Sequence, residues 1–196
     1  MACYSADYPI FAAMFGKILA FAGLTLALFS FGNGESEARV TTYVPVPVND
    51  TAGVMEQARI DSINRVVITD SVISVLKQSL GLPYRYGGNS PQTGFDCSHF
   101  VAYGFGKLGV TLPGSSAGMA TVGEEIPLEQ VRKGDILLFK GRSTSNPRVG
   151  HVSLVIEASP GSIKMIHSCS RGVVIDEYYS MKYYTARFLQ ARRINY

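Results

Sequence analysis

The sequence predicts an α+β fold in which helices come first and an antiparallel sheet follows. Before residue 110, apolar residues recur at helical spacing between helix-capping residues and glycines. After residue 134, the apolar segments are short, rich in β-branched residues and separated by tight turns. This order indicates N-terminal helices packed on a C-terminal antiparallel β-sheet, because alternating βαβ units would mix the two patterns along the chain.

The composition narrows the class of protein. The chain has 196 residues, of which 46% are hydrophobic and 17% charged, as expected of one globular domain with an appendage. The formal charge is +3 and no cluster of Lys and Arg exceeds a pair, so nothing indicates nucleic-acid binding. The chain contains no CxxC motif, which argues against a zinc ribbon or a thioredoxin-type site.

Residues 1–38 are predicted to be a signal peptide or an N-terminal membrane anchor. Residues 18–31 are apolar and uncharged and follow Lys17, and they are shorter than the roughly 20 residues of a membrane span. Small residues at 36 and 38 suit a cleavage site. The alternative is an uncleaved span over residues 10–31, which would be the only contact with a membrane. Both interpretations place the remaining chain outside the cytoplasm, in the periplasm or the cell envelope.

Residues 39–69 are predicted to be a linker or N-terminal extension, and residues 70–196 to be the main domain. The prolines within residues 40–50 are spaced as in an extended linker. Residues 51–63 are a candidate helix, although their apolar periodicity is poor.

Two helices are predicted at the start of the main domain. Thr69 and Asp70 resemble an N-cap for a helix that Gly81 ends. A second helix is predicted from Cys97 to about Leu108, with Gly109 after it. The residues expected to be buried are Val72, Val75, Leu76 and Leu80 on the first helix, and Phe100, Val101 and Phe105 on the second.

Cys97 is a candidate nucleophile because of its position at a predicted helix start. The polar turn before it ends at Asp96. Unpaired N–H groups at a helix N-terminus favour negative charge, so the thiol is expected to shift toward thiolate. The alternative is an inert cysteine packed in the core.

Two histidines are candidates for the base and for the group that orients it. The predicted strands cover residues 135–139, 151–158, 163–169, 172–178 and 186–194. His151 opens the second of these strands on its polar face, opposite Val152 and Leu154, while His167 lies on the third, across a Pro-Gly turn. If the paired residue numbers add up to 318 or 320, both rings share one face, directly opposite or as diagonal neighbours. An odd register would separate them, and the turn sequence does not decide between the two.

Cys169 lies two residues beyond His167 and so shares its face. Three interpretations are open for Cys169: a packed residue without a role, a disulfide with Cys97, or a zinc site with Cys97, His151 and His167. The ligand spacing is unlike that of the usual zinc sites, so no metal and no cofactor is expected. His99 diverges from Cys97 on the helix and is interpreted as peripheral.

A series of short motifs carries a family resemblance. In their order and spacing they resemble the NlpC family of cell-wall cysteine peptidases, over about residues 70–194. The motifs are YRYGG at 84–88, GFDCS at 94–98, LP at 112–113, KGDILLF at 133–139, GHV at 150–152 and IH at 166–167.

The resemblance implies a papain-like fold for a catalytic domain over residues 70–196. It implies an enzyme that acts on peptidoglycan stem peptides or muropeptides, and we expect this exported chain to be a monomer. The bond cut would join γ-D-glutamate to diaminopimelate or lysine. Cys97 would be the nucleophile, His151 the general base, His167 the residue that orients it, and Tyr84 a donor to the oxyanion.

The resemblance also implies a substrate-binding role for two residues, and the sequence departs from the family pattern at three positions. Asp96 and Ser98 match positions that bind the free amine of L-alanine in some members. His99 replaces a glycine, Gly114 an arginine, and Met119 stands near a usual glutamine, so substrate preference is open. The alternatives are an N-acetylmuramoyl-alanine amidase, another acyl transfer on the same scaffold, or an inactive wall-binding module.

Overall fold

The structure is a computed structural model that describes residues 51–195, with side chains from Gly53 onward. The predicted export segment, residues 1–38, and the linker up to residue 50 lie outside the described residues. The helices are α1 (Thr51–Lys77), α2 (Cys97–Gly106), α3 (Ser116–Met119) and α4 (Lys182–Thr185), with a 3₁₀ turn at Leu128–Gln130. The strands are β1 (Asn89–Ser90), β2 (Gly94–Phe95), β3 (Glu124–Ile126), β4 (Ile136–Lys140), β5 (Val149–Ser159), β6 (Ser162–Cys169), β7 (Gly172–Glu177) and β8 (Phe188–Arg193).

Six of these strands form one antiparallel sheet in the order β3-β8-β4-β5-β6-β7. All five predicted strands are present, each within two residues of its expected ends. The edge strand β3 was not predicted, and neither was the two-stranded sheet of β1 and β2. The α+β prediction is therefore confirmed, with the helices before the sheet in the chain.

One face of the sheet carries the main core. Helix α2 packs on β5 and β6. Its residues Phe100, Val101 and Phe105 are fully buried, as predicted, in one apolar cluster with Val152 and Leu154 of β5. Burying a side chain of this size contributes about 1.5–3 kcal/mol, so this face fixes how the start of α2 sits over β5.

The other face of β5 is buried as well, which corrects the prediction of a polar face. Ser153 and Val155 are inaccessible to solvent. A second apolar cluster covers them, with Phe139, Tyr178 and Tyr184 among its members. Alternation along the strand indicates that its two faces differ, but it does not show which side chains close the second face. These come from the neighbouring strand β4 and from the segments after β7.

Helix α1 is continuous from Thr51 to Lys77, so the N-cap predicted at Thr69 and Asp70 is wrong. Polar contacts hold the helix upstream of that point. The Arg65 guanidinium donates to the carbonyl of Ile194 at 2.7 Å and lies 3.5 Å from the Asp135 carboxylate. These partners are far away in the sequence, so the spacing of apolar residues along the helix could not predict the contacts.

Only the last turns of α1 are packed into the core. Val72 and Leu76 are buried as predicted, and Val75 is half-buried. Leu80 is 45% exposed, contrary to the prediction, because α1 ends at Lys77 and Leu80 lies in the turn that follows. Neither α1 nor another helix within residues 51–195 has the combined length and hydropathy of a membrane span.

Candidate active site

A β-bulge in β5 determines which residues share a face with β6. Next to the connecting turn, Ser159 pairs with Ser162, an odd register. Beyond Ile156 the register shifts by one, so that Leu154 pairs with Ile166 and the paired numbers add up to 320. An extra residue in one strand of an antiparallel pair produces this change. The even register that the site requires is therefore created by the bulge.

The bulge brings His151 and His167 into hydrogen-bond contact. Nε2 of His151 lies 3.0 Å from Nδ1 of His167, with the two rings at 80°. The prediction that both rings share one face is confirmed, in the diagonal rather than the directly opposite arrangement. The Tyr184 ring stacks on His151 at 5.6 Å between centroids, and the Phe139 ring lies 5.9 Å away, so the imidazole is held on two sides.

His167 continues the chain of hydrogen bonds into the protein. It is fully buried, and its Nε2 lies 3.0 Å from Oδ2 of Asp176. The Arg171 guanidinium forms an ion pair with the same carboxylate oxygen. The Tyr184 hydroxyl lies 3.4 Å from Nδ1 of His167. None of these three partners was predicted from the sequence.

Asp176 could have been found from the turn before β7. The loop between Cys169 and Gly172 has two residues, and Gly172 adopts a φ of +89°. A two-residue hairpin fixes the register, which places Val174 opposite His167. Asp176 is two residues further on and therefore lies on the same face as His167, as a diagonal neighbour.

Cys97 is the first residue of α2, with Asp96 as its N-cap. The residue is only 7% exposed, and its thiol lies at the backbone N–H of Val152, directly after His151 in β5. Burial raises the pKa of Cys97, the N–H of Val152 opposes this, and the Asp96 charge adds to it. The net direction is opposite to the shift toward thiolate expected from the helix N-terminus, because burial outweighs the backbone N–H groups.

The His151 imidazole is uncharged at neutral pH, like the Cys97 thiol. Burial of the ring and the neighbouring His167 lower the pKa of His151 to about 3, while Asp176 acts in the opposite direction. At neutral pH the resting protein therefore holds a protonated thiol and a neutral imidazole on adjacent elements. Such a pair can transfer a proton when a substrate arrives, rather than resting as an ion pair.

The low pKa of His151 predicts a loss of stability in acid. Its ordinary value of 6.5 in the unfolded chain falls to about 3 in the folded state, so the unfolded state binds the extra proton between these values. Stability is complete above pH 6.5 and declines as the pH falls toward 3. Because of His151, the free energy of unfolding measured in urea should be about 2 kcal/mol lower at pH 5 than at pH 8. The His151→Gln variant should lose that difference; an equal pH slope in both proteins would contradict it.

Tyr84 lies at the mouth of the site. It forms an isolated bridge with Phe95, one residue before the N-cap of α2. Partial burial, Cys97 and Asp96 raise the pKa of Tyr84, which reflects a hydroxyl close to both groups. The position is compatible with a donor to the oxyanion, and that role stays a prediction.

Asp96 and Ser98 are engaged in hydrogen bonds within the protein. Oδ1 of Asp96 accepts from the His99 backbone N–H at 2.8 Å, and its Oδ2 accepts from Gly87 N–H at 3.1 Å. The Ser98 hydroxyl lies 3.1 Å from Asp96 Oδ1 and 3.0 Å from the Gly114 carbonyl. These contacts anchor the start of α2. The predicted binding of a substrate amine by Asp96 and Ser98 remains a prediction.

Two departures from the family pattern, His99 and Gly114, touch each other. Nδ1 of His99 lies 2.8 Å from Oδ2 of Asp96. A Cβ at position 114 would stand 2.7 Å from Nε2 of His99, so the ring fills the space that a side chain there would need. The two departures are therefore coupled. Met119, the third, is fully buried in the core.

A pocket of about 430 Å³ opens beside the histidines. It is lined by Tyr84, Lys140, Gly141, Arg142, Gly150, His151, Cys169, Ser170, Arg171, Met181, Tyr183 and Tyr184. Three of these side chains are cationic and none carries a carboxylate.

Cys97 and Cys169 are both free thiols, and no group of potential ligands within the described residues is arranged to hold a metal.

The sequence matches a family model described as NlpC/P60 over residues 81–193. The chain is 35% identical over 127 residues to the gamma-DL-glutamyl hydrolase of Bacillus subtilis, covering 64% of this chain and 30% of that protein. It is 33% identical over 132 residues to the murein DD-endopeptidase MepH of Escherichia coli, covering 64% of this chain and 46% of that one. It thus spans less than half the length of these relatives.

Solved structures give the same result for the fold. An NlpC/P60 family protein from Bacillus cereus superposes with a TM-score of 0.58 at 32% identity, covering 65% of this chain and 40% of that chain. A lipoprotein-like NLP/P60 protein from Staphylococcus aureus gives 0.58 at 25% identity, covering 66% and 42%. The fold is therefore the papain-like one that the resemblance implied. The family model extends from the turn after α1 to the end of β8, which is more than half of the residues of the chain. The chain therefore belongs to the NlpC/P60 family.

Proposed function

We propose that this protein is a peptidoglycan hydrolase, a cysteine endopeptidase that cuts stem peptides between γ-D-glutamate and diaminopimelate or lysine. The observation that carries the proposal is the thiol of Cys97 at the start of α2, beside the N–H that follows His151, with His151 hydrogen-bonded to His167 at 3.0 Å. A nucleophile, a base and a group that orients the base are the parts required for acyl transfer. Relatives named as a murein endopeptidase and a muramidase/DL-endopeptidase support the substrate class.

The reaction follows from the two neutral groups. As the Cys97 sulfur attacks the amide carbonyl, His151 takes the thiol proton, and the carbonyl oxygen becomes an oxyanion. The Tyr84 hydroxyl donates to that oxyanion, a contribution typically worth about 2.7–4 kcal/mol per donor. His151 then gives its proton to the leaving amine, which leaves a thioester on Cys97. Water attacks the thioester with His151 as base, and the acid product and the thiol are released.

The pocket beside His151 fits the leaving half of the substrate. His151 has to protonate the leaving amine, so the fragment that carries this amine must lie on the side of His151. There Lys140 and Arg142 line the wall beside Arg171, which already pairs with Asp176, and none of the lining residues carries a carboxylate. Diaminopimelate brings a carboxylate to this half, whereas a neutral leaving fragment would leave these cations without a partner from the substrate.

The same charge favours a second candidate, a hydrolase of γ-linked glutamate polymers. Each residue of such a polymer carries a free α-carboxylate, which suits a cationic groove. The relative at 35% identity is named gamma-DL-glutamyl hydrolase. The two candidates share the bond type and differ in what stands on its leaving side.

A digest analysed by mass spectrometry tests the proposal. The purified protein is incubated separately with tripeptide and tetrapeptide muropeptides and with poly-γ-glutamate. The expected products are a fragment ending in γ-D-glutamate and a fragment with a new amine on diaminopimelate or lysine. Release of the whole stem peptide from muramic acid would indicate an amidase, and fragments from poly-γ-glutamate alone would favour the second candidate. Binding to peptidoglycan without cleavage would indicate a wall-binding module.

A further inference from the structure

Asp176 is placed to decide which nitrogen of each imidazole carries hydrogen. The residue is only 9% exposed, and its Oδ2 faces Nε2 of His167 at 3.0 Å. The hydrogen bond from His167 and the ion pair with Arg171 hold the pKa of Asp176 below its ordinary value, although burial acts in the opposite direction. The group is therefore ionised at neutral pH, and an ionised carboxylate can only accept hydrogen bonds.

The rest of the chain of hydrogen bonds follows from that one constraint. Nε2 of His167 must carry a hydrogen, because it faces the carboxylate. In a neutral imidazole the other nitrogen then has a lone pair, so Nδ1 of His167 accepts. Its partner at 3.0 Å, Nε2 of His151, must donate. The Tyr184 hydroxyl, 3.4 Å from the same Nδ1, can also only donate there. Nδ1 of His151 is consequently left without hydrogen.

We propose that Asp176 is a positioning residue that fixes the tautomers of His167 and His151, so that Nδ1 of His151 is free to take the proton of Cys97. The inference rests on the proposed function and adds Asp176 and Arg171 to the groups that the family resemblance implied. Asp176 touches neither substrate nor reacting atoms, and it acts through His167. Arg171 pairs with the same carboxylate oxygen, so the charge of Asp176 is partly compensated.

The role of Arg171 makes the pair of histidines sensitive to pH in a defined direction. His167 is faced by His151 from β5, by Asp176 from β7 and by Tyr184 from α4. Arg171, from the β6–β7 turn, pairs with the Asp176 oxygen that faces His167. Cys169, on β6 itself, lies beside Tyr184. A second proton on His167 would make its Nδ1 a donor, which would force the hydrogen of His151 onto Nδ1. Activity should decline at low pH as this pair of histidines is protonated, and this decline is called the acid limb of the pH profile.

Two substitutions are expected to move that limb in opposite directions. In Asp176→Asn the amide either accepts from or donates to His167, so both tautomers are populated. kcat should fall at least about tenfold, as is typical when an outer hydrogen-bond partner is lost, with KM changed little. The acid limb should move to lower pH because the attracting charge is gone. In Arg171→Gln the charge of Asp176 is uncompensated, so the acid limb should move to higher pH.

The matched control is Glu177→Gln, a carboxylate-to-amide change at the next residue of β7. The Glu177 carboxylate accepts from the backbone N–H groups of Ile163 and Ser180, at 3.0 and 2.7 Å, away from the histidines. This variant should keep the wild-type kcat and pH profile. A merely structural role for Asp176 would lower the amount of folded enzyme without displacing the acid limb, and that result would overturn the proposal.

A measurement that needs no substrate separates this proposal from the proposed function. The chain has three histidines, so ¹⁵N-histidine labelling gives an NMR spectrum that single substitutions can assign. Long-range ¹H–¹⁵N couplings should show hydrogen on Nε2 of both His151 and His167 in the wild type, and mixed tautomers in Asp176→Asn. Hydrogen on Nδ1 of His151 in the wild type would overturn the proposal. A wild-type protein that cleaves no substrate would refute the function while leaving the tautomer measurement valid.

Discussion

Replacing Cys97 by serine is expected to abolish hydrolysis while leaving the fold intact. The hydroxyl is smaller than the thiol, and the residue is only 7% exposed, so the packing around α2 changes little. The chemistry changes far more. A hydroxyl is a much weaker acid than a thiol, and His151, with a pKa lowered to about 3, is a weak base. kcat/KM should fall by on the order of 10³-fold or more, as when the nucleophile of a comparable site is removed.

The comparison with a second serine variant makes this result specific. Cys169 is the other free thiol among the described residues, and it is half-buried in the wall of the pocket beside His151. Cys169→Ser should retain activity within about tenfold of wild type, since it removes no group that transfers a proton. Steady-state cleavage of a muropeptide and far-ultraviolet circular dichroism measure the two expectations. Full activity in Cys97→Ser would refute the nucleophile, and equal losses in both variants would point to packing instead.

Local patterns predicted much of the fold because the elements concerned are stabilised by near neighbours in the sequence. Short apolar segments between tight turns identified β4 to β8, and helical spacing identified the buried side of α2. The helix N-terminus at Cys97 followed from the polar turn before it, and Asp96 is indeed its N-cap. These features depend on residues within a few positions of each other, which is the range over which propensity and periodicity operate.

The features that were missed depend on distant contacts. The continuity of α1 through residues 64–70 was missed, and there Arg65 donates to the carbonyl of Ile194, 129 positions away in the sequence. The second face of β5 is closed partly by aromatic side chains from the last quarter of the chain. The protonation state of Cys97 was predicted from the helix N-terminus alone, whereas burial by the whole domain dominates it. No local signal carries this information.

The candidate site lies between these two cases. The sequence supplied Cys97, His151 and His167, but the register that brings the histidines together depends on a bulge at Ile156. Ile156 continues the apolar alternation of β5, so nothing in the strand marks the extra residue. Asp176 could have been predicted, since a two-residue turn fixes its register with β6. A carboxylate on a face otherwise shared with apolar residues was the signal.

The largest expected effect on stability comes from Asp135, which the sequence placed in the KGDILLF motif. It is fully buried, and its carboxylate accepts from Nε and Nη2 of Arg193 at 3.0 and 2.9 Å and from the backbone N–H of Arg132 at 2.8 Å. Arg65 of α1 lies 3.5 Å away. Asp135 therefore joins the start of β4 to β8 and to α1. It lies away from the pocket beside the histidines, which indicates a structural role for this part of the motif.

Asp135→Asn should reduce the free energy of unfolding by about 3–5 kcal/mol, because it removes the buried carboxylate that pairs with the largely buried Arg193 guanidinium and lies 3.5 Å from Arg65. Asp70→Asn is the matched control, since Asp70 pairs with Lys133 where both side chains are about half exposed. A surface pair of this kind contributes less than about 1 kcal/mol. Urea unfolding measures both variants. A loss below 1 kcal/mol in Asp135→Asn would mean that solvent reaches Arg65 and Arg193 when the charge is removed, and that α1 is held by its apolar contacts instead.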